Sequence, residues 1–242
     1  MLTFLATILG YVLKFIYQML SQAMNEPSLI SFYAISIIIM TFLVKLITIP
    51  ITLNTQKSSQ QMSELSPEVE KLKKKYGYDQ RVLQQKTQEL YKEKGVSVMG
   101  CSSCLMLLIQ FLILMALIRV IRDPAQFMFE SKSEFESISK NFFWIKDLNQ
   151  MDPLWFGLPL MTSLSQFAVS LFSMKTNKAQ QNSQMGSMNT MLMVLPLAYY
   201  FVFRSMPAAL PLYWTMSSVI EIIFRVIMYF FFSNHKERIK ED

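Results

Sequence analysis

The chain has 242 residues, of which 52% are hydrophobic and only 17% are charged. A soluble domain carries roughly a quarter of its residues as charged side chains, so this composition indicates a membrane protein. The single histidine, His235, and the pair Cys101 and Cys104 exclude histidine-based metal sites, hydrolytic triads and a disulfide framework. We therefore expect no cofactor, no metal and no enzyme activity, and we interpret the two cysteines as structural thiols.

The net charge of +6 does not indicate a nucleic-acid partner. Its basic residues lie in polar segments beside long apolar ones, where the excess of Lys and Arg in cytoplasmic loops of membrane proteins already accounts for them. We therefore expect no nucleic-acid binding.

The first predicted element is an amphipathic helix within residues 1–24. Polar residues or glycine line one face, whereas the other face is apolar and predicts a helix that lies on the membrane surface. A sixth membrane span is the alternative. The apolar face holds Leu5, Ile8, Leu9, Val12, Phe15, Ile16, Met19 and Leu20, and the opposite face holds Thr7, Gly10, Lys14, Gln18 and Ser21.

Five further segments are long and apolar enough to cross a membrane. A helix needs about 20 residues for this, because the hydrocarbon core is about 30 Å thick and each residue rises 1.5 Å. All five must be helices, since an open sheet would leave backbone groups unpaired in lipid. The predicted spans are residues 28–52, 100–121, 154–174, 186–204 and 207–233.

The segment between the first two spans, residues 53–99, holds nine Lys and Arg residues and is predicted to be cytoplasmic. Apolar residues recur in it at helical spacing on both sides of Gly77, which predicts a helical hairpin. Alternation of the spans then places the loop 122–153 outside, and the loop 175–185 and the tail 234–242 inside.

Several sequence blocks follow one another in an informative order. They are "VKLITIPITLNTQKSSQQM", "LSPEVEKLKKKYG", "CLMLLIQFLILMAL", "FFWIKDLNQMDP" and "SMPAALPLYW". By these blocks nearly the whole chain resembles the YidC family of membrane protein insertases, in the short bacterial form that lacks a large external domain. The resemblance implies an all-α polytopic fold in the bacterial plasma membrane, with five core transmembrane helices, a cytoplasmic helical hairpin and an N-terminal external interfacial helix.

The resemblance also implies a function. Family members receive hydrophobic segments of nascent membrane proteins in a positively charged groove, open to cytoplasm and lipid, and release them laterally into the bilayer. Nascent membrane proteins and lipids are thus the implied partners, with a Sec-type translocon as a further one. The short tail, residues 234–242, argues against ribosome docking, for which the family uses a long basic tail. A small-solute transporter or channel is the alternative function.

Ionisable residues inside the spans are the first site candidates, because a charge at the membrane centre costs at least about 2.5–3.5 kcal/mol. Lys45 stands where the family has an arginine of the groove, and snorkelling to the headgroups is its alternative role. Glu221 and Arg225 lie four residues apart, so they either neutralise each other or line the groove as well. The uncharged groove candidates are Thr41, Gln110, Gln166 and Ser170.

Overall fold

A computed structural model describes residues 2–96, 102–129, 131–176 and 186–241. Over these ranges the chain forms ten helices and isolated β-bridges but no strand, which confirms the all-α class for this part of the chain. The helices are α1 (Leu2–Ala23), α2 (Phe32–Glu64), α3 (Ser66–Tyr76), α4 (Gln80–Glu93), α5 (Ser102–Arg122), α6 (Pro124–Phe127), α7 (Lys132–Ser137), α8 (Leu158–Thr176), α9 (Gly186–Arg204) and α10 (Ala209–Glu241).

Three helical segments in the described ranges are long and apolar enough to cross a membrane, namely Leu2–Ala23, Phe32–Asn54 and Ala209–Ile227. Two shorter apolar helices, Leu158–Met174 and Val194–Arg204, accompany them. Such an all-helical chain is consistent with a polytopic membrane protein. The count of five spans and the placement of α1 on the membrane surface stay predictions, because α1 is long enough for either arrangement.

Two helices extend well beyond their predicted spans. Helix α2 begins at Phe32 instead of residue 28 and continues past residue 52 to Glu64, with Pro50 in its interior. Helix α10 continues through the predicted tail to Glu241. Lys, Glu, Gln and Arg are good helix formers, so a helix need not end where its apolar segment ends.

Some predictions lie outside the described residues. These are residue 1, residues 97–99 at the end of the predicted hairpin, residue 100 and Cys101 at the start of the second predicted span, residue 130 of the loop 122–153, residues 177–185 of the loop 175–185, and residue 242 of the tail.

Helices α3 and α4 pack against each other and are separated by a short turn after Tyr76. Asp79 caps α4, since its Oδ1 accepts hydrogen bonds from the backbone N–H groups of Arg81 (2.9 Å) and Val82 (3.2 Å). An ion pair of 3.6 Å joins Lys94 to Glu68. Helix α3 has no buried residue and α4 has only Leu83, so this pair of helices has little apolar core.

The chain divides into two compact units. The first comprises Met1–Ile47, Leu112–Val169 and Leu195–Asp242, and the second comprises Thr48–Phe111 and Ser170–Val194. The boundaries fall within α2, α5, α8 and α9. The first unit contains all of α1, the start of α2 and all of α10, whereas α3 and α4 belong to the second.

In the first unit, an irregular segment that we call the loop layer (residues 138–157) holds the starts of two helices. The backbone N–H of Ser31, next to the start of α2, donates to the carbonyl of Asn141 at 2.9 Å. The N–H of Ala209, the first residue of α10, donates to the carbonyl of Leu148 at 2.9 Å. Helices α2 and α10 therefore both start at the loop layer.

Asp152 organises the same layer around α8 and α9. Its buried carboxylate accepts from Trp144 Nε1 at 3.0 Å and from the N–H of Leu158, the first residue of α8, at 2.6 Å. Arg204, the last residue of α9, donates to the Asp152 carbonyl at 2.6 Å. Gly157 lies so close to this carboxylate that a Cβ there would collide with it. Helix α8 thus starts, and α9 ends, at the layer from which α2 and α10 start.

Helix α1 packs on the short helix α6 through Gly10. A Cβ at this position would collide with the backbone carbonyl of Phe127, so only glycine permits the approach. Gly10, which the sequence places on the face opposite the apolar stripe, is thus buried against α6. The residue was grouped with polar ones because it has no apolar side chain, but that lack is what allows close packing.

Candidate functional site

The ionisable residues predicted within the membrane spans lie at similar distances from the loop layer. Lys45 is thirteen residues beyond Phe32, and Glu221 is twelve residues beyond Ala209. At 1.5 Å per residue these intervals correspond to about 20 Å and about 18 Å along the helices. Because α2 and α10 both start at the loop layer, residues at matched distances along them can meet.

They do meet in an ion cluster, which we define as Lys45, Glu221 and Arg225. Lys45 Nζ donates to Glu221 Oε2 at 2.9 Å. Arg225 donates to Glu221 Oε1 through Nε at 3.0 Å and through Nη2 at 2.7 Å. Exposed fractions of the side chains are 12% for Lys45, 23% for Glu221 and 16% for Arg225. All three members lie in the first unit.

The cluster carries a net charge of +1, because two cations share one carboxylate. Taking charges out of water is costly, and mutual pairing with hydrogen bonds offsets much of that cost. The predicted contact between Glu221 and Arg225 is present. Glu221 also pairs with Lys45, which is 176 residues away in the sequence, and this ion pair joins α2 to α10.

A second polar group lies on the same face of α10, nearer to the loop layer. The Gln166 side chain on α8 accepts through Oε1 from Trp214 Nε1 at 3.3 Å and from the Ser218 hydroxyl at 3.1 Å. Trp214, Ser218, Glu221 and Arg225 follow one another at spacings of four, three and four residues, which places them on one helix face. We call these four residues the α10 stripe.

Thr41 lies one helical turn before Lys45 on α2. It is fully buried, and its hydroxyl donates to the Ile37 carbonyl of its own helix at 2.6 Å. A similar polar contact joins α8 to α10, where the hydroxyls of Thr162 and Thr215 are 2.8 Å apart. Both threonine sites satisfy their hydroxyls within the protein, but only Thr162 and Thr215 make the contact between helices that is usual for such residues in membrane proteins.

Two of the seven predicted site residues belong to the second unit. Gln110 on α5 is half-buried, and Ser170 on α8 is buried. Of the seven predicted residues, Lys45, Glu221 and Arg225 are joined by direct contact.

The sequence analysis missed Trp214, whose indole N–H belongs to the polar contacts of the site. It lies in the block "SMPAALPLYW" and resembles an ordinary core aromatic residue. Its spacing could have indicated the role: Trp214 is seven and eleven residues from Glu221 and Arg225, so it lies on the same helix face as these two charged residues. A buried indole N–H generally needs an acceptor, and here Gln166 provides one.

Comparison with known proteins identifies the family. The family model described as "60Kd inner membrane protein" matches residues 8–236. A protein of Fusobacterium nucleatum named membrane protein insertase YidC is 35% identical over 216 residues, covering 89% of this chain and 95% of the relative. Proteins of the same name from Clostridium perfringens and Francisella philomiragia are 34% and 32% identical, covering 79% and 88% of this chain and 76% and 35% of the relatives. The resemblance seen in the sequence is thereby confirmed, and the chain belongs to the 60Kd inner membrane protein family, together with the YidC insertases.

Proposed function

We propose that the chain is a membrane protein insertase and chaperone that performs no enzymatic chemistry. It receives hydrophobic segments of nascent membrane proteins and releases them sideways into the bilayer. The family and the names of its relatives support this function. The observation that carries it within the molecule is the ion cluster. It places an excess positive charge about 20 Å along α2 from the loop layer, and a charge within a membrane is costly and generally marks a functional site.

The proposed topology has five core spans, which are the apolar parts of α2, α5, α8, α9 and α10. In the first unit α2, α8 and α10 start at the loop layer and α9 ends there, as alternating crossings require. The loop layer is then external, with α1 on the same outer membrane surface. The basic segment 53–99 and the C-terminus are cytoplasmic.

This topology can be tested with single cysteines in a background that lacks Cys101 and Cys104. A membrane-impermeant maleimide should label Phe143→Cys in intact cells, but Tyr78→Cys only after permeabilisation. Both native side chains are exposed, so labelling reports the side of the membrane. Labelling of Tyr78→Cys in intact cells would contradict the proposed orientation.

The proposed groove uses the ion cluster as its charged part. An acidic side chain of the translocating segment loses hydration as it enters the membrane, and the net positive cluster offsets this loss. The apolar part of the segment then enters lipid with a gain of about 25 cal/mol per Å² of buried apolar surface. The membrane potential adds about 2.3 kcal/mol for each negative charge moved outward per 100 mV.

We assign Gln166 and Thr41 to the groove together with the cluster, and Gln110 and Ser170 of the second unit stay groove candidates on the sequence alone. Gln166 is held on the α10 stripe, which supports its assignment. Membrane lipids border the groove, and a Sec-type translocon is a further proposed partner.

Helices α3 and α4 form a cytoplasmic hairpin that collects substrate segments in this proposal. Their small apolar core supports a mobile role, because few buried contacts then restrain their angle. Tyr78 at the turn is 88% exposed, so an aromatic side chain is available at the tip for transient contacts.

In vivo photocrosslinking tests the function directly. A photoreactive residue replaces Gln166 in one variant and Leu46, the exposed neighbour of Lys45, in another, so that the lysine charge is retained. Phe201 on α9, an exposed apolar residue, is the matched control. We expect crosslinks to nascent membrane proteins from the first two positions and mainly lipid labelling from the third. Lipid labelling alone from all three would refute the substrate groove.

The same experiment separates insertion from transport of small solutes. A transporter or channel would give no crosslinks to nascent chains at any of these positions. Family membership favours the insertase, and no contact in the described part of the chain favours the transporter.

A further inference from the structure

Each oxygen of the Glu221 carboxylate contacts a different cation. Oε2 accepts from Lys45 on α2, while Oε1 accepts two hydrogen bonds from the Arg225 guanidinium on its own helix. A single carboxylate therefore holds two cations in one arrangement, and the contact with either could open while the other stays closed.

The two contacts differ in how firmly the fold maintains them. Glu221 and Arg225 are four residues apart on α10, so the helix itself keeps their side chains adjacent. The guanidinium is planar and donates twice to one oxygen, which fixes its orientation. Lys45 instead reaches Glu221 from another helix through a flexible four-carbon chain and a single ammonium group. The lysine contact is thus the one that can exchange.

We propose that Arg225 is a reserve counter-ion that allows Lys45 to change partners during insertion. An acidic side chain of the translocating segment takes the place of Glu221 at Lys45, while Arg225 keeps the Glu221 carboxylate paired. This inference rests on the proposed insertase function and adds to it a positioning residue and a substrate preference.

The charge balance explains why this exchange is favourable. Before it, two cations and one carboxylate leave a net charge of +1. After it, Lys45 pairs with the substrate and Arg225 pairs with Glu221, so the net charge is zero. No charge at membrane depth loses its partner in this exchange, which avoids the cost of an unpaired buried ion. A second acidic residue on the segment would make the net charge −1, so segments with one acidic residue are the preferred class.

The test compares two substrates in reconstituted vesicles, one with a single Asp in its translocated segment and one with Asn at the same place. In Arg225→Gln, Glu221 keeps Lys45 as its main counter-ion, and the ratio of Asp-substrate to Asn-substrate insertion should fall about fivefold, as the loss of a partly exposed ion pair would give. The double variant Arg225→Gln with Glu221→Gln should regain the wild-type ratio, because no carboxylate then competes for Lys45. Arg225→Lys, which keeps the charge, should lie close to the wild type.

Arg119→Gln, in the last turn of α5, is the matched control, since it removes an exposed arginine that contacts Thr3 instead of the cluster. Thermal unfolding in detergent shows whether each variant is folded. An unchanged ratio in Arg225→Gln, or a double variant as impaired as Arg225→Gln, would overturn the proposal. A wild type that inserts neither substrate would refute the proposed function itself. A wild type that inserts both substrates, with an unchanged ratio in the variants, would refute only the role of Arg225.

Discussion

Reversing the charge at residue 45 should lower the stability of the protein and, as a separate effect, impair substrate insertion. Lys45→Glu places a second carboxylate beside Glu221, where the native ion pair is 2.9 Å long. With an effective dielectric constant near 20, an attraction of roughly 6 kcal/mol between the two charges becomes a repulsion of similar size. Side chains rearrange to reduce this repulsion, so we expect stability to fall by about 3–5 kcal/mol, the usual effect of breaking a buried pair.

A series of variants separates the stability effect from the effect on insertion. Lys45→Arg keeps the cluster at +1, Lys45→Gln lowers it to 0, and Lys45→Glu lowers it to −1. The double variant Lys45→Glu with Glu221→Gln also has a net charge of 0 and lacks the repulsion. We expect it to recover most of the stability, because Arg225 can pair with the new carboxylate.

Insertion should follow the charge at residue 45 instead of the stability. Complementation of a depleted strain with a substrate that carries an acidic translocated tail is the assay. Lys45→Arg should support growth, while Lys45→Glu should fail with or without Glu221→Gln. Equal activity of Lys45→Arg and Lys45→Glu, or full recovery of the acidic substrate in the double variant, would refute the electrostatic reasoning.

Three further predictions concern the scaffold. Gly10→Leu should lower stability by about 1–3 kcal/mol through its collision with Phe127, whereas Tyr11→Leu on the exposed side of α1 should not; equal thermal unfolding of the two would contradict this packing. Asp152→Asn should cost about 1–3 kcal/mol, because an amide turns a donor toward backbone N–H groups that need acceptors. Its unfolding, followed by Trp144 fluorescence, should shift to lower denaturant. Amides in α3 should exchange with deuterium faster than those in the buried start of α10, and equal protection would show that the hairpin is a structural element.

The sequence predicts well whatever depends on one helix at a time. Apolar segments of sufficient length predict the long helices, and the four-residue spacing predicts the contact between Glu221 and Arg225. The break after Tyr76 also follows from local periodicity, and the structure begins α3 at Ser66 and α4 at Gln80. In each case the physical cause lies within a few residues of the chain.

Contacts between helices are harder to predict, because the sequence does not say which helices are neighbours. The sequence suggests only that Lys45 and Glu221 can line the same groove, and their direct contact becomes evident once both α2 and α10 are seen to start at the loop layer. The role of Asp152 is equally hard to predict from the sequence. In the sequence it is one of several acidic residues of a loop, and only the fold shows that its carboxylate holds Trp144 and the start of α8.

The cluster shows how the fold can orient the positive charge of a lysine at position 45. A lysine lacks the planar fork with which arginine holds a partner, so a lone ammonium is less well oriented. Here Arg225 orients the Glu221 carboxylate by two hydrogen bonds, and that carboxylate in turn provides a fixed acceptor for Lys45. The net charge stays at +1, but it is distributed over α2 and α10. Removing or reversing the charge of any one of the three residues therefore alters the charge offered to a substrate and the ion pairing between two membrane helices together, which is why the double variants are more informative than single ones.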